Sequence, residues 1–219
     1  MQNAYITLDF PTVPTPLLSA ANHRSLTQRL SDEAGFLHDY IRDGLNLIQP
    51  FRTLAHYAGY LTVQHHMLCD LQRLCASADV QRYLPDLTLL DPERARRVEA
   101  DLVDLNAWPT KQVRLIEPGL TVLETLGWLY AGEGLMLSLD TMASASGVGE
   151  LLGLTDSCGG QHLFAPIGAR THAWRNMARM LDSKALADPQ GTEVVAGACS
   201  AYHRLDELLS LALSVHAEL

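Results

Sequence analysis

The sequence predicts an all-α fold, a single-domain helical bundle. Apolar residues recur at spacings of three and four along nearly the whole chain. Ala and Leu dominate, and strand-like runs of Val, Ile and Thr are scarce. Asp91-Pro92 and Asp188-Pro189 each place a capping acid and a first-turn proline ahead of a periodic stretch.

Residues 1–22 carry Pro11, Pro14 and Pro16 and read as an extended arm ahead of a domain over 23–219. The first helix starts at Ser25, which forms an S-x-x-Q capping box with Gln28. Its stripe is Leu26, Leu30, Ala34, Leu37, Ile41 and Leu45, and Gly44 and Pro50 mark its end. A second helix spans Thr53–Ala76, with Leu54, Ala58, Leu61, Leu68, Leu71 and Cys75 on one side. A third runs from Asp91-Pro92 to Leu105. A long helix covers Pro118–Ser146 and stops at Gly147 and Gly149. Gly147–Gly168 reads as a loop with a turn of helix at Glu150–Leu152; helices follow at Thr171–Leu181 and from Asp188 towards Val215.

A chain of 219 residues is long enough to bury a sizeable core, and 47% hydrophobic with 19% charged residues excludes a disordered chain. A net charge of −9 excludes a general nucleic-acid binder, which needs a basic surface. Cys69, Cys75, Cys158 and Cys199 include no CxxC pair and read as free thiols in a reducing cytosol. No run of about 18 apolar residues predicts a membrane span. The N-terminus lacks a basic start followed by an apolar segment, so a cytoplasmic location is expected.

No HExxH, EF-hand loop, P-loop or GxSxG occurs. His65 and His66 are adjacent, so they point about 100° apart on a helix and cannot chelate as an i, i+4 pair would. Glu124 and Glu133 lack the Glu-x-x-His partners of a di-iron site. Two features remain. Gly127, Gly132 and Gly134 interrupt a strong helix, each at a cost of about 1 kcal/mol relative to Ala. Gly127, Ala131, Gly134 and Ser138 fall on one nearly bare face, which admits either another helix or a flat ligand. His38 borders the apolar stripe of the first helix, as either a boundary residue or an axial ligand for haem iron.

Three stretches, in order, resemble the bacterial biliverdin-producing haem oxygenases. RLSDEAGFLHDYIRD, LGWLYAGEGLMLSLD, and GGQHLFAP followed by HAWRNMARML are similar to the family's proximal helix, distal helix, and loop with the Trp-containing helix after it. The likeness runs from about residue 25 to 205. It implies the family's helical fold, with haem as both cofactor and substrate, cleaved to biliverdin, Fe2+ and CO. The co-reactants it implies are O2 and an external electron donor such as a ferredoxin or flavoprotein. It implies His38 as the iron ligand and Gly134 as the point where the distal helix passes over the porphyrin. It further implies Tyr130 as a lining tyrosine, Tyr202 as a propionate partner, and Arg94 as part of a buried distal network. The family's small polar residue after the first distal glycine is Leu135 here, the next position is Met136, and the second distal glycine is Ser138. The basic residue seven before the histidine is Ser31, and the loop arginine is Gln161. Leu135 and Met136 would dry the pocket, and Met136 as a sixth iron ligand would give a non-catalytic haem carrier or sensor. A haem-free helical protein binding another ligand or partner is the remaining alternative.

Overall fold

The computed structural model describes residues 24–83, 91–108, 116, 119–184, 186 and 188–216. The predicted arm over 1–22 lies outside them. Eight helices run in chain order among the described residues: α1 Leu26–Ile48, α2 Leu54–Cys75, α3 Ala78–Tyr83, α4 Pro92–Asp104, α5 Val122–Ala145, α6 Val148–Leu152, α7 Gly168–Ser183 and α8 Asp188–His216. Isolated bridges at Thr155 are the sole β pairing there.

Local chemistry explains most of the boundaries. Ser25 caps α1 by accepting from the Gln28 N–H, but the capping box is only half made. The Gln28 amide turns forward to Asp32 at 2.9 Å instead of back to Ser25. Helix α1 also runs through Gly44, and its stop is Gln49 in the left-handed conformation just before Pro50. Asp91 caps α4 by accepting from Glu93 N–H, as expected from its pairing with Pro92. The long helix begins at Val122 rather than near residue 118. Thr121 and Glu124 form a complete capping box there: the hydroxyl accepts from Glu124 N–H at 3.1 Å, and the carboxylate accepts from Thr121 N–H at 2.7 Å.

Helix α5 is the centre of the bundle. It packs on α8 along its length and also meets α7, α2, α3 and α6. Its side chains are apolar almost all round, which is what a helix enclosed by others requires. Two glycines make the α5–α8 contact a main-chain one. A Cβ on Gly127 would lie 1.7 Å from the Val194 carbonyl oxygen, and one on Gly197 would lie 1.8 Å from that of Glu124. At Gly127 the bare face is therefore taken by a helix. The loss of helix propensity is offset by dispersion between two backbones in direct contact.

Helix α1 leans on α8 and α7. Leu26, Leu30, Ala34, Ile41 and Leu45 of its stripe are buried, while Phe36 and Tyr40 face outward. Arg29 braces α1 to the start of α8 through the Asp188 carbonyl at 3.0 Å and the Thr192 hydroxyl at 2.8 Å. On α2, Leu54 is exposed rather than part of the stripe, as the first residue of the helix, and buried polar residues share the inner surface with the apolar ones further along. The loop after α6 is fastened to the end of α4. Asp101 accepts from the N–H groups of Gln161 and His162, each at 2.8 Å, and Asp104 accepts from that of Gly159 at 2.9 Å.

Candidate functional site: a cavity between two helices and the charge cluster behind it

A cavity of about 220 Å³ lies between α1 and α5. Helix α1 contributes Ser31, Ala34 and His38 to its wall, and α5 contributes Ala131, Gly134 and Leu135. The His38 and Tyr202 rings meet edge to face at 6.1 Å between centroids. The Nδ1 atom of His38 lies 3.3 Å from the Asp39 carboxylate. Burial lowers the His38 pKa below its ordinary value of 6.5, against the opposing pull of Asp39, so the imidazole is neutral at neutral pH. A neutral imidazole is the form that binds a metal.

Gly134 is not simply bare. Trp174 of α7 lies against it, and a Cβ there would meet the indole nitrogen at 2.9 Å. That indole N–H donates to the Tyr130 carbonyl at 2.9 Å, and the Tyr130 and Trp174 rings stack at 5.1 Å. Burial, with a smaller contribution from Asp182, pushes the Tyr130 phenol up to about 12, so it stays a hydrogen-bond donor.

Behind the cavity, on the other side of α5, sits a buried cluster of charges. Arg94 of α4 donates to Glu133 at 2.9 Å and to the Gln64 side-chain oxygen Oε1 at 2.8 Å. Arg170 of α7 donates to Glu133 at 2.9 Å and to Asp140 at 2.5 Å. Asp140 also accepts from the Tyr60 hydroxyl and from the Gln64 amide at 3.2 Å, and it lies 3.1 Å from His162 Nε2. Two guanidinium groups thus face two carboxylates. Burial opposes the charge on Asp140, but His162, Arg170 and Arg94 outweigh it and hold the carboxyl well below its ordinary range.

The structure brings His38, Gly134, Tyr130 and Tyr202 to one cavity. It places the other three sequence candidates elsewhere. Met136 is buried with its sulfur 3.5 Å from an Arg94 nitrogen, because its position on α5 points into the charge cluster. It does not line the cavity, and the idea of a sixth iron ligand there is corrected. Arg94, expected in a buried network and not on the cavity wall, sits in the charge cluster. Ser138 is half-buried and outside the described lining. Sequence reasoning assigned no role to Trp174, Tyr60, Gln64, Asp140, His162 or Arg170. Tyr60 and Gln64 stand one turn apart on α2, but among the other polar residues of that helix the spacing gave no distinct signal. Among the described residues no group of three or more His, Cys, Asp or Glu side chains is arranged to hold a metal ion.

A helical bundle of this topology is the fold of a solved haem oxygenase. The fold matches that of the NO- and CO-bound haem oxygenase from Neisseria meningitidis with a TM-score of 0.71 at 23% identity, covering 88% of this chain and 94% of that one. No protein-family model matches the chain. The haem oxygenase PigA of Pseudomonas aeruginosa is 27% identical over 184 residues, spanning 84% of this chain and 90% of its own. In fold and in sequence the chain is similar to bacterial haem oxygenases. No helix among the described residues is long and apolar enough to cross a membrane.

Proposed function

We propose that the chain is a haem oxygenase, which opens haem to biliverdin, Fe2+ and CO with O2 and electrons from an external donor. The observation that carries this reading is the placement of His38 and Gly134 on the walls of one cavity. The walls fit haem: a neutral imidazole, small side chains at Ala34, Ala131 and Gly134, and aromatic rings on two sides. His38 is the residue to hold the iron, with Asp39 orienting its ring through Nδ1. Tyr202 supports the imidazole edge. Bound haem supplies both the iron and the ring carbon at which O2 reacts.

The protein's part is positioning. Gly134 lets a flat ligand approach the α5 main chain, and Trp174 sets how closely. The cavity, at about 220 Å³, is smaller than the roughly 300–1,000 Å³ typical of ligand sites, so accommodating a macrocycle would require the Trp174 indole to move or the cavity to stay open at one edge. Glu133, immediately before Gly134, is gripped by Arg94 and Arg170, which fixes the backbone at the glycine. Tyr130 retains its proton and serves as a donor on the cavity wall. The six-coordinate form of the carrier or sensor alternative loses its ligand, because Met136 faces Arg94 instead. Four free thiols suit the reducing cytosol in which we place the reaction.

The test is spectroscopic. Hemin added to the purified chain is expected to give a Soret band, and ascorbate in air is expected to replace it with broad red absorption. His38→Ala is expected to lose the histidine-ligated spectrum. A stable Soret band under reductant and air refutes the catalytic reading; a wild-type chain with no Soret band refutes haem binding.

A further inference from the structure

Helix α2 carries chemistry that the haem reading does not use. His65 and Cys69 stand one turn apart on it, both half-buried, so their side chains share one face. The Cys69 sulfur lies 3.9 Å from His65 Nε2. The other ring nitrogen, Nδ1, lies 4.0 Å from the Glu99 carboxylate of α4. The Trp108 ring covers the imidazole, with 5.4 Å between centroids. None of these four residues lines the cavity between α1 and α5. Burial lowers the His65 pKa against the opposing pull of Glu99, so the imidazole is neutral at neutral pH. Glu99 beside Nδ1 favours the tautomer with its hydrogen there, which leaves the lone pair on Nε2, facing the sulfur. This is the order found around a metal-bound histidine: carboxylate, imidazole, then the metal and its next ligand. Burial, with Asp70 and Glu99, raises the Cys69 pKa, so the thiol keeps its proton until a metal displaces it. A thiol is a weak donor, so the S–H···N contact that a metal would replace holds little.

We propose that His65 and Cys69 form a binding site for monovalent copper, Cu(I), with Glu99 orienting the imidazole from behind. Bonds of about 2.3 Å to sulfur and about 2.0 Å to nitrogen would span the 3.9 Å separation with an angle of about 130° at the metal. That angle is wider than a tetrahedral one and belongs to a centre of low coordination number. Two protein ligands are too few for a structural zinc site, and among the described residues no third His, Cys, Asp or Glu completes one. Cu(I) is a soft, closed-shell ion that prefers thiolate and is satisfied by fewer ligands. Binding forms one Cu–S and one Cu–N bond and breaks the S–H bond, whose proton passes to solvent; no electron is transferred. The site goes beyond the haem reading and does not depend on it.

The experiment uses the full-length chain carrying Cys158→Ser/Cys199→Ser, which removes the two competing thiols that are not buried and keeps the buried Cys75. Under anaerobic conditions it is titrated into the coloured Cu(I) complex of bicinchoninate, and loss of colour reads the transfer of copper. One equivalent of Cu(I) per chain is expected, with a near-ultraviolet sulfur-to-copper band. X-ray absorption at the copper edge is expected to show one sulfur and one imidazole nitrogen. Adding Cys69→Ser is expected to abolish the transfer. Adding His65→Gln is expected to weaken it more than tenfold, and adding Glu99→Gln about tenfold, the usual worth of a group that orients a metal-bound histidine. Circular dichroism checks that each variant is folded. No transfer to a folded parent chain overturns the proposal, as does transfer untouched by Cys69→Ser. A His65→Gln chain that binds as tightly as its parent also overturns it, because a thiol alone would then be capturing the metal. Displacement of Cu(I) by an equal concentration of Zn(II) overturns the choice of metal and the low-coordinate site with it. Hemin added to the same chains tests the other reading separately: a Soret band is expected in all of them, and its absence from the parent refutes haem binding without touching the copper site.

Discussion

Gly127→Ala should be far more damaging than Gly134→Ala, although both add one methyl group to the same helix. At Gly127 the new Cβ would lie 1.7 Å from the Val194 carbonyl oxygen, while real Cβ contacts essentially never come under 3.0 Å. The α5 and α8 backbones must part by roughly 1.3 Å to admit it, and a close-packed interior has no slack of that size. Gly197 makes the matching contact three residues along α8, so the two helices cannot pivot about that point. Ala returns about 1 kcal/mol of helix propensity. Overpacking costs about 1–3 kcal/mol where side chains can yield, and more where they cannot, so we expect a net loss of about 2 kcal/mol or more. At Gly134 the obstacle is the Trp174 side chain at 2.9 Å, which can shift. The gain and the strain there should cancel to within about 1 kcal/mol. Urea unfolding monitored by circular dichroism reads both, as a change in midpoint at constant slope. Hemin uptake separates them again: Gly134→Ala should weaken it while leaving the fold stable. Equal stabilities for Gly127→Ala and wild type, or a larger stability loss at Gly134, would refute the reasoning.

Arg170→Leu leaves Glu133 and Asp140 with a single guanidinium between them, and should cost about 3–5 kcal/mol in the same urea assay. Arg170→Leu/Glu133→Gln should recover part of that loss, and a single-variant loss below about 1 kcal/mol would show that the cluster is not the buried ion network described. Stability should also decline on acidification. Burial lowers the pKa of His38, His65 and His66 below 6.5, so the unfolded chain takes up protons first as pH falls. Their contribution is complete above about pH 6.5 and is lost as pH drops through the lowered values. Urea midpoints across pH 5–8 should show this slope, and His65→Gln/His66→Gln should flatten it; a slope untouched by that pair assigns it elsewhere.

What the sequence discloses about this protein follows the reach of local interactions. The α1 stripe from Leu26 to Leu45 was legible because burial repeats with the helical period. The α4 start was legible because Asp91 and Pro92 act within one turn. The α5 start was mislocated because Thr121 and Glu124 carry the cap, three residues past the apparent signal. At Gln28 two local partners compete, and Asp32 one turn ahead wins the amide. The cavity was legible in part: His38 and Gly134 stand out within their own helices, and the family resemblance paired them. The cluster was not. Asp140 draws its partners from Tyr60, Gln64, His162 and Arg170, on three different segments, and no spacing in the chain announces that these meet. Met136 shows the same limit from the other side. Its position near Gly134 in sequence suggested the cavity, but two residues along a helix turn a side chain by about 200°, and that carries it to Arg94.

The cluster and the cavity are nevertheless one mechanical unit, and α7 is the part that joins them. Arg170 and Trp174 are one turn apart on its inner face, so they point the same way. Arg170 grips Glu133 and Asp140; Trp174 grips the Tyr130 carbonyl and lies on Gly134. A short stretch of α5 is thereby pinned at its carbonyl, its carboxylate and its bare Cα by a single neighbouring helix. Three interior glycines would leave an isolated helix free to bend in this region. Here the bend is fixed from outside by groups that a ligand need not touch. The position of Gly134 relative to His38 is then a property of the Arg170–Glu133 pair as much as of the glycine itself. Weakening that pair should loosen the cavity wall even where the fold survives. The broadening would appear in the spectrum of bound haem before it appeared in the unfolding midpoint, because a wall shift of a few tenths of an ångström alters an iron site while barely changing the buried area that sets stability.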